Sequence, residues 1–89
     1  MEITAQELEQ LNKEEYQLID IRSEVETVHG AITGAVCIPA EGLEESTLLC
    51  KDKKVILCCS RGKFSLDAAE RLRELGYDAY SLTGGYTAW

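Results

Sequence analysis

Between Lys54 and Glu70 the chain reads Lys-Val-Ile-Leu-Cys-Cys-Ser-Arg-Gly-Lys-Phe-Ser-Leu-Asp-Ala-Ala-Glu. No other stretch restricts the possible folds so tightly. Val55 to Cys58 is a short apolar run with β-branched residues, the pattern of a strand covered on both faces. Leu66, Ala69 and Leu72, with Ala68 and Leu75, recur at helical spacing, so a helix follows. Ser65 stands where an N-cap belongs, and Gly76 where a C′ glycine belongs. The reading is a buried strand, a tight loop and a helix.

Cys59 therefore falls at the carboxyl end of a strand, and the loop after it leads into a helix N-terminus. Loop amides and the positive helix end point at any anion held there. Arg61 and Lys63 add two cations, and Gly62 permits a tight backbone path. A thiolate so placed is stabilised, so Cys59 is expected to ionise below the free-cysteine value of about 8.5. Thiolate is the nucleophilic form. Free cysteine is more often an inert core residue. What argues against that for Cys59 is the coincidence of strand end, glycine, cations and helix start. Cys58 is expected to be the core residue of the pair, because successive strand side chains point to opposite faces.

Eighty-nine residues suffice for one domain with one core. No apolar run approaches a membrane helix in length. Met1-Glu2-Ile3-Thr4 lacks the charge and apolar stretch of a signal peptide, so a cytoplasmic location is expected. Cys37, Cys50, Cys58 and Cys59 show neither disulfide-framework spacing nor the paired CxxC of a zinc site, and His29 is the single histidine. Free thiols and no metal are expected. The net charge of −7 argues against nucleic-acid binding, which needs a basic surface. It also leaves the Arg61–Lys63 loop as a local basic spot on an acidic protein.

Thr4-Ala5-Gln6-Glu7 has the form of a capping box, which predicts a helix from Ala5 to about Asn12. Strands are predicted over Tyr16–Ile21, Val36–Ile38 and Tyr77–Leu82, the second stopped by Pro39. Ser23–Val28 is read as a helical turn, His29–Ala35 as a glycine-punctuated loop and Glu41–Cys50 as a short acidic helix. His29 reads as a structural loop residue rather than a base. Tyr86–Trp89 begins a last helix. Asp20 and Arg22, one residue apart, share one side of their strand. An acid beside an arginine is a poor base, so the pair is read as a brace for neighbouring loops. Alternating strands and helices predict a parallel α/β sheet, whose ligands bind beyond the carboxyl ends of the strands.

Three segments resemble the signatures of the rhodanese-homology domain. Asp20-Ile21-Arg22, through Gly30, Ile32, Gly34 and Ala35 to Pro39, is similar to the first. Cys59-Ser60-Arg61-Gly62-Lys63-Phe64-Ser65 is similar to the active-site loop. Gly76-Tyr77 with Leu82, Gly84-Gly85 and Ala88-Trp89 is similar to the closing signature. The chain departs from the pattern at Thr27, Ala31 and Thr33, and in the placing of its loop cations. The resemblance covers nearly the whole chain and implies a single rhodanese-like domain over residues 1–89, a small three-layer α/β/α fold around a parallel sheet.

It also implies sulfur transfer. Cys59 would take the outer sulfur of thiosulfate or of a persulfidated protein and pass it to cyanide, a thiol or a sulfur-carrier protein. Ser60, Arg61, Gly62, Lys63, Phe64 and Ser65 would form the loop that holds donor and persulfide, supported by Asp20 and Arg22. No metal, organic cofactor, nucleic acid or membrane enters. The chain stops at Trp89 with its last helix barely begun, as expected of a domain cut from a longer protein and serving a fused enzyme. Two other readings compete. One is a phosphatase or arsenate reductase, disfavoured because the loop closes with Ser65 rather than arginine and is one residue shorter. The other is a non-catalytic interaction module in which Cys59 has no chemical role.

Overall fold

The computed structural model describes residues 1–23, 27, 30, 34–60 and 62–85, with Lys63 described through its backbone only. The described residues include the strands β1 (Glu2–Ile3), β2 (Tyr16–Asp20), β3 (Val36–Cys37), β4 (Lys54–Cys58) and β5 (Asp78–Leu82). The α-helices α1 (Ala5–Glu9) and α2 (Lys63–Glu74) accompany them, with 3-10 turns at Lys13–Glu15 and Ala40–Gly42. The strands form one sheet in the order β1-β5-β4-β2-β3, every neighbour parallel.

Side-chain alternation along β4 divides the core in two. Val55, Leu57 and Cys59 pack with Ile19, Ala79 and the α2 residues Ala68, Ala69 and Leu72. Ile56 and Cys58 pack on the other face with Ile3, Leu18, Leu82 and Leu8 of α1. Helices thus cover both faces of a parallel sheet, the three-layer arrangement expected from the sequence. Each such aliphatic side chain contributes about 1.5–3 kcal/mol by leaving water. Cys58 and Cys59 lie on opposite sides of the sheet for the same reason.

The ends of α2 explain how the loop after Cys59 is fixed. At its far end Leu75 is the C-cap, and Gly76 takes φ 98°. The amide of Tyr77 donates to the Leu72 carbonyl and that of Gly76 to the Arg73 carbonyl, a Schellman closure. At its near end the expectation fails. Gly62, at φ 90°, is the N-cap and has no capping side chain, while Ser65 lies inside the first turn. Its hydroxyl is engaged with buried partners on the sheet side, and the helix starts three residues earlier than its spacing suggested.

Other boundaries moved for identifiable reasons. The capping box forms in both directions, but α1 stops at Glu9. Asn12 then turns its side chain onto the Glu14 amide and caps a 3-10 turn instead. The helix expected over Glu41–Cys50 is absent beyond the turn at Ala40–Gly42. Its polar backbone is satisfied from elsewhere: Gln17 binds the Leu48 carbonyl and the Cys50 amide, and Ser46 accepts from the Leu48 amide. Leu43 is buried there and Leu49 half-buried, but Leu48 is exposed. Strand β1, too short to show periodicity, went unread. It pairs with β5 through Ser81 to Met1 and Thr83 to Ile3 bonds. The helical turn read at Ser23–Val28 survives as a bond from the Thr27 amide to the Ser23 carbonyl. Residues 24–26, 28 and 29, the loop positions 31–33 and the last helix at 86–89 lie outside the described residues.

Candidate active site

Beyond the carboxyl end of β4, Cys59 lies at the floor of a cleft of about 480 Å³. Ile21, Arg22, Ser60, Phe64, Ala68 and Arg71 contribute to its walls. Cys59 is 4% exposed, whereas Phe64 stands at the cleft 76% exposed. The sulfur therefore presents a small surface at the bottom of a largely apolar hollow.

Its hydrogen bonds follow from the early start of α2. The Gly62 amide donates to Sγ at 3.0 Å and the Ser65 amide at 3.4 Å. Ser65 is the third residue of the helix, and its amide is one that an N-cap side chain normally satisfies. Gly62 has no side chain to do so, and the Cys59 sulfur occupies that role. Amides aimed at sulfur favour the thiolate over the thiol. Ser65 Oγ lies 3.4 Å from Sγ and accepts the thiol proton. It also lies 2.6 Å from Ser81 Oγ, which in turn donates to the Gly62 carbonyl at 3.3 Å.

Asp20 and Arg22 are both buried, joined by a fork of Nε and Nη2 to the two carboxylate oxygens, the shortest bond 2.8 Å. Arg22 Nη2 also donates to the Gly30 carbonyl at 2.6 Å, and the Arg22 amide to Asp20 Oδ1. The pair thus ties the end of β2 to Gly30, with Arg22 in the wall of the cleft. Ser60 and Phe64 line the cleft. Arg61 and the Lys63 side chain lie outside the described residues.

The family model for the rhodanese-like domain matches residues 4–89. The chain belongs to the rhodanese-like domain family.

This rhodanese-like domain is 36% identical over 87 residues to the thiosulfate sulfurtransferase GlpE of Pseudoalteromonas translucida, covering 96% of this chain and 83% of the relative. It is 30% identical to the human thiosulfate:glutathione sulfurtransferase, covering 82% of this chain and 77% of that protein. Among solved structures, a rhodanese-related protein from Thermoplasma volcanium superposes with a TM-score of 0.87 at 32% identity, covering 99% of this chain and 88% of the other. Among the described residues, no helix is long and apolar enough to cross a membrane.

Sequence reading alone missed three residues of the domain's site. Arg71, one wall of the cleft, is paired with Glu44 at 3.4 Å. Gly85 packs directly behind the loop. Ser81 is fully buried on the side of β5 that faces α2. The last had a signal: two positions after the core residue Ala79, the strand period places a polar group inward.

None of the four cysteines of the domain is in a disulfide. Burial pushes the Cys58 thiol up from an ordinary 9.0 to about 12, reinforced by the nearby charges of Asp20 and Cys59. Cys58 is thus neutral at physiological pH. Native protein treated with iodoacetamide at about pH 10 should carry no label on Cys58, whereas denatured protein should carry label on all four cysteines. The sign for stability follows: the folded state holds a proton that the unfolded state releases, so stability falls as pH rises from 9 toward about 12. Rapid native labelling of Cys58 at that pH would contradict this assignment.

Proposed function

We propose that this domain is a sulfurtransferase that carries sulfane sulfur as a persulfide on Cys59. One observation carries the reading: the Cys59 sulfur takes the place of a helix cap and accepts two backbone amides, at the floor of an open cleft. The relatives named for thiosulfate sulfurtransferase activity support the same class.

The Cys59 thiolate attacks the outer sulfur of thiosulfate. A Cys59 S–S bond forms, the sulfur–sulfur bond of thiosulfate breaks, and sulfite leaves with the electron pair. A thiophilic acceptor such as cyanide then attacks the outer sulfur, leaves as thiocyanate and returns the thiolate. A protein persulfide and an organic thiol serve the same two steps. The Gly62 and Ser65 amides hold negative charge on sulfur throughout, so little rearrangement accompanies each transfer. Intact mass spectrometry after incubation with thiosulfate tests the reading. Gain of one sulfur atom, mapped to Cys59 and lost on adding cyanide, is expected. An unchanged mass would favour the non-catalytic interaction module.

Arg61 and Lys63 flank Gly62 and are assigned to donor capture. The amides act on the persulfide without them, and the side chains attract the thiosulfate dianion. Arg61→Ala and Lys63→Ala should each raise KM for thiosulfate about fivefold, the worth of one partly screened charge contact, with a smaller change in kcat. The wild-type advantage should shrink as salt is added. A collapse of kcat at constant KM would place these cations on the transition state instead.

A further inference from the structure

Ser65 and Ser81 form a buried hydroxyl pair directly behind the Cys59 sulfur. Their relative exposures are 0% and 1%, and their oxygens lie 2.6 Å apart. They belong to different elements, Ser65 to α2 and Ser81 to β5, so tertiary packing alone brings them together. A serine inside a helix ordinarily bonds back to its own backbone or points to water. Ser65 does neither here, and instead bridges the sulfur and a second hydroxyl.

Each hydroxyl has one proton and can both donate and accept. With Cys59 as a thiol, the protons run away from sulfur. The S–H donates to Ser65 Oγ, the Ser65 hydroxyl to Ser81 Oγ, and the Ser81 hydroxyl to the Gly62 carbonyl. A thiolate has no proton to give and needs donors. The same atoms then serve with reversed polarity: the Ser81 hydroxyl donates to Ser65 Oγ, and the Ser65 hydroxyl to sulfur. No heavy atom has to move, because the 2.6 Å and 3.4 Å separations suit either direction.

We propose that Ser81 is a positioning residue for the Cys59 thiolate, which it supports through Ser65 by turning the Ser65 hydroxyl toward sulfur when Cys59 ionises. The proposal rests on Cys59 being the nucleophile. Ser81 does not touch the sulfur, and the polarising effect of its hydroxyl on Cys59 passes through Ser65. Ser65 gives the sulfur a charge-assisted bond, and Ser81 strengthens it by polarising the hydroxyl.

The test is the pH dependence of Cys59 alkylation by iodoacetamide, in the Cys37→Ser/Cys50→Ser background, for Ser65→Ala, Ser81→Ala, Ser81→Thr and Ser65→Ala/Ser81→Ala. Ser65→Ala should raise the midpoint by about 1 pH unit, the loss of one bond to a charged sulfur. Ser81→Ala should raise it by about 0.3–0.5 unit, a cooperative fraction of that bond. Ser81→Thr, which keeps a hydroxyl, should restore the wild-type midpoint. In the Ser65→Ala background, Ser81→Ala should add nothing, since its route to sulfur is gone. An unmoved or lowered midpoint in Ser81→Ala overturns the proposal, as does an additive double variant. A merely structural role would lower the melting temperature and leave the midpoint alone. Alkylation needs no sulfur donor. A failure of sulfur transfer would appear separately, as unchanged mass after thiosulfate in a protein whose midpoints still shift as expected.

Discussion

Cys59→Ser should reduce thiosulfate-dependent sulfur transfer at least about 10⁴-fold, the scale of losing a covalent nucleophile. Serine oxygen does not ionise at working pH and cannot hold a persulfide sulfur. The fold should survive the change. Sγ of Cys59 sits where an N-cap acceptor belongs, taking the amides of Gly62 and Ser65, and serine is among the preferred capping residues. The variant should therefore melt near the wild-type temperature while being inactive. Cys37→Ser and Cys50→Ser should stay close to wild type, since neither residue lines the cleft. Steady-state cyanide-dependent kinetics with a thermal melt decides the matter. Full activity in Cys59→Ser would remove this cysteine from the reaction.

Gly85→Ala should have the second largest effect, although residue 85 is far from Cys59 in sequence. Gly85 has φ +59°, which costs a residue with a Cβ about 1–2 kcal/mol. Space is the harder constraint. A Cβ there would meet the Cys59 carbonyl oxygen and would lie 2.8 Å from both the Gly62 nitrogen and the Ser60 carbonyl carbon. These are backbone atoms of the sulfur-holding loop, so the loop itself has to move. The Cys59 carbonyl is met first, and the Gly62 amide that donates to sulfur is displaced with it. A displacement near 1 Å at a reacting group costs on the order of 10²-fold in rate. We expect kcat/KM to fall by about that factor and the melting temperature to drop by several degrees, since overpacking costs about 1–3 kcal/mol. Wild-type kinetics in Gly85→Ala would show that the loop is not held from behind by this turn.

Much of the architecture was legible because local chemistry and tertiary demand agreed. The apolar run Val55–Cys58 had to be a doubly covered strand, and it is the centre of a parallel sheet. Thr4 with Glu7 could cap only a helix start, and does. Gly76 could end α2 at positive φ where a side chain would be strained, and does. The strand period alone put Cys58 and Cys59 on opposite faces. The position of Cys59 before a glycine loop and a helix followed from the order of residues, and so did the ion-pair spacing of Asp20 and Arg22.

What the sequence could not decide was which backbone groups other parts of the chain would satisfy. Glu41–Cys50 has a helical composition, yet Gln17, thirty-one residues from Leu48, takes its carbonyl and keeps the segment irregular. Ser65 carries every local mark of an N-cap, yet a sulfur six residues earlier performs the capping and leaves the hydroxyl free to meet Ser81 from another strand. Gly85 looks like an ordinary turn glycine until the loop at Cys59 is laid against it. Propensity and periodicity act over a few residues and determined the elements of this protein. The environment of the Cys59 sulfur also draws on residues as distant in sequence as Ile21, Ser81 and Gly85, and only their packing decided it.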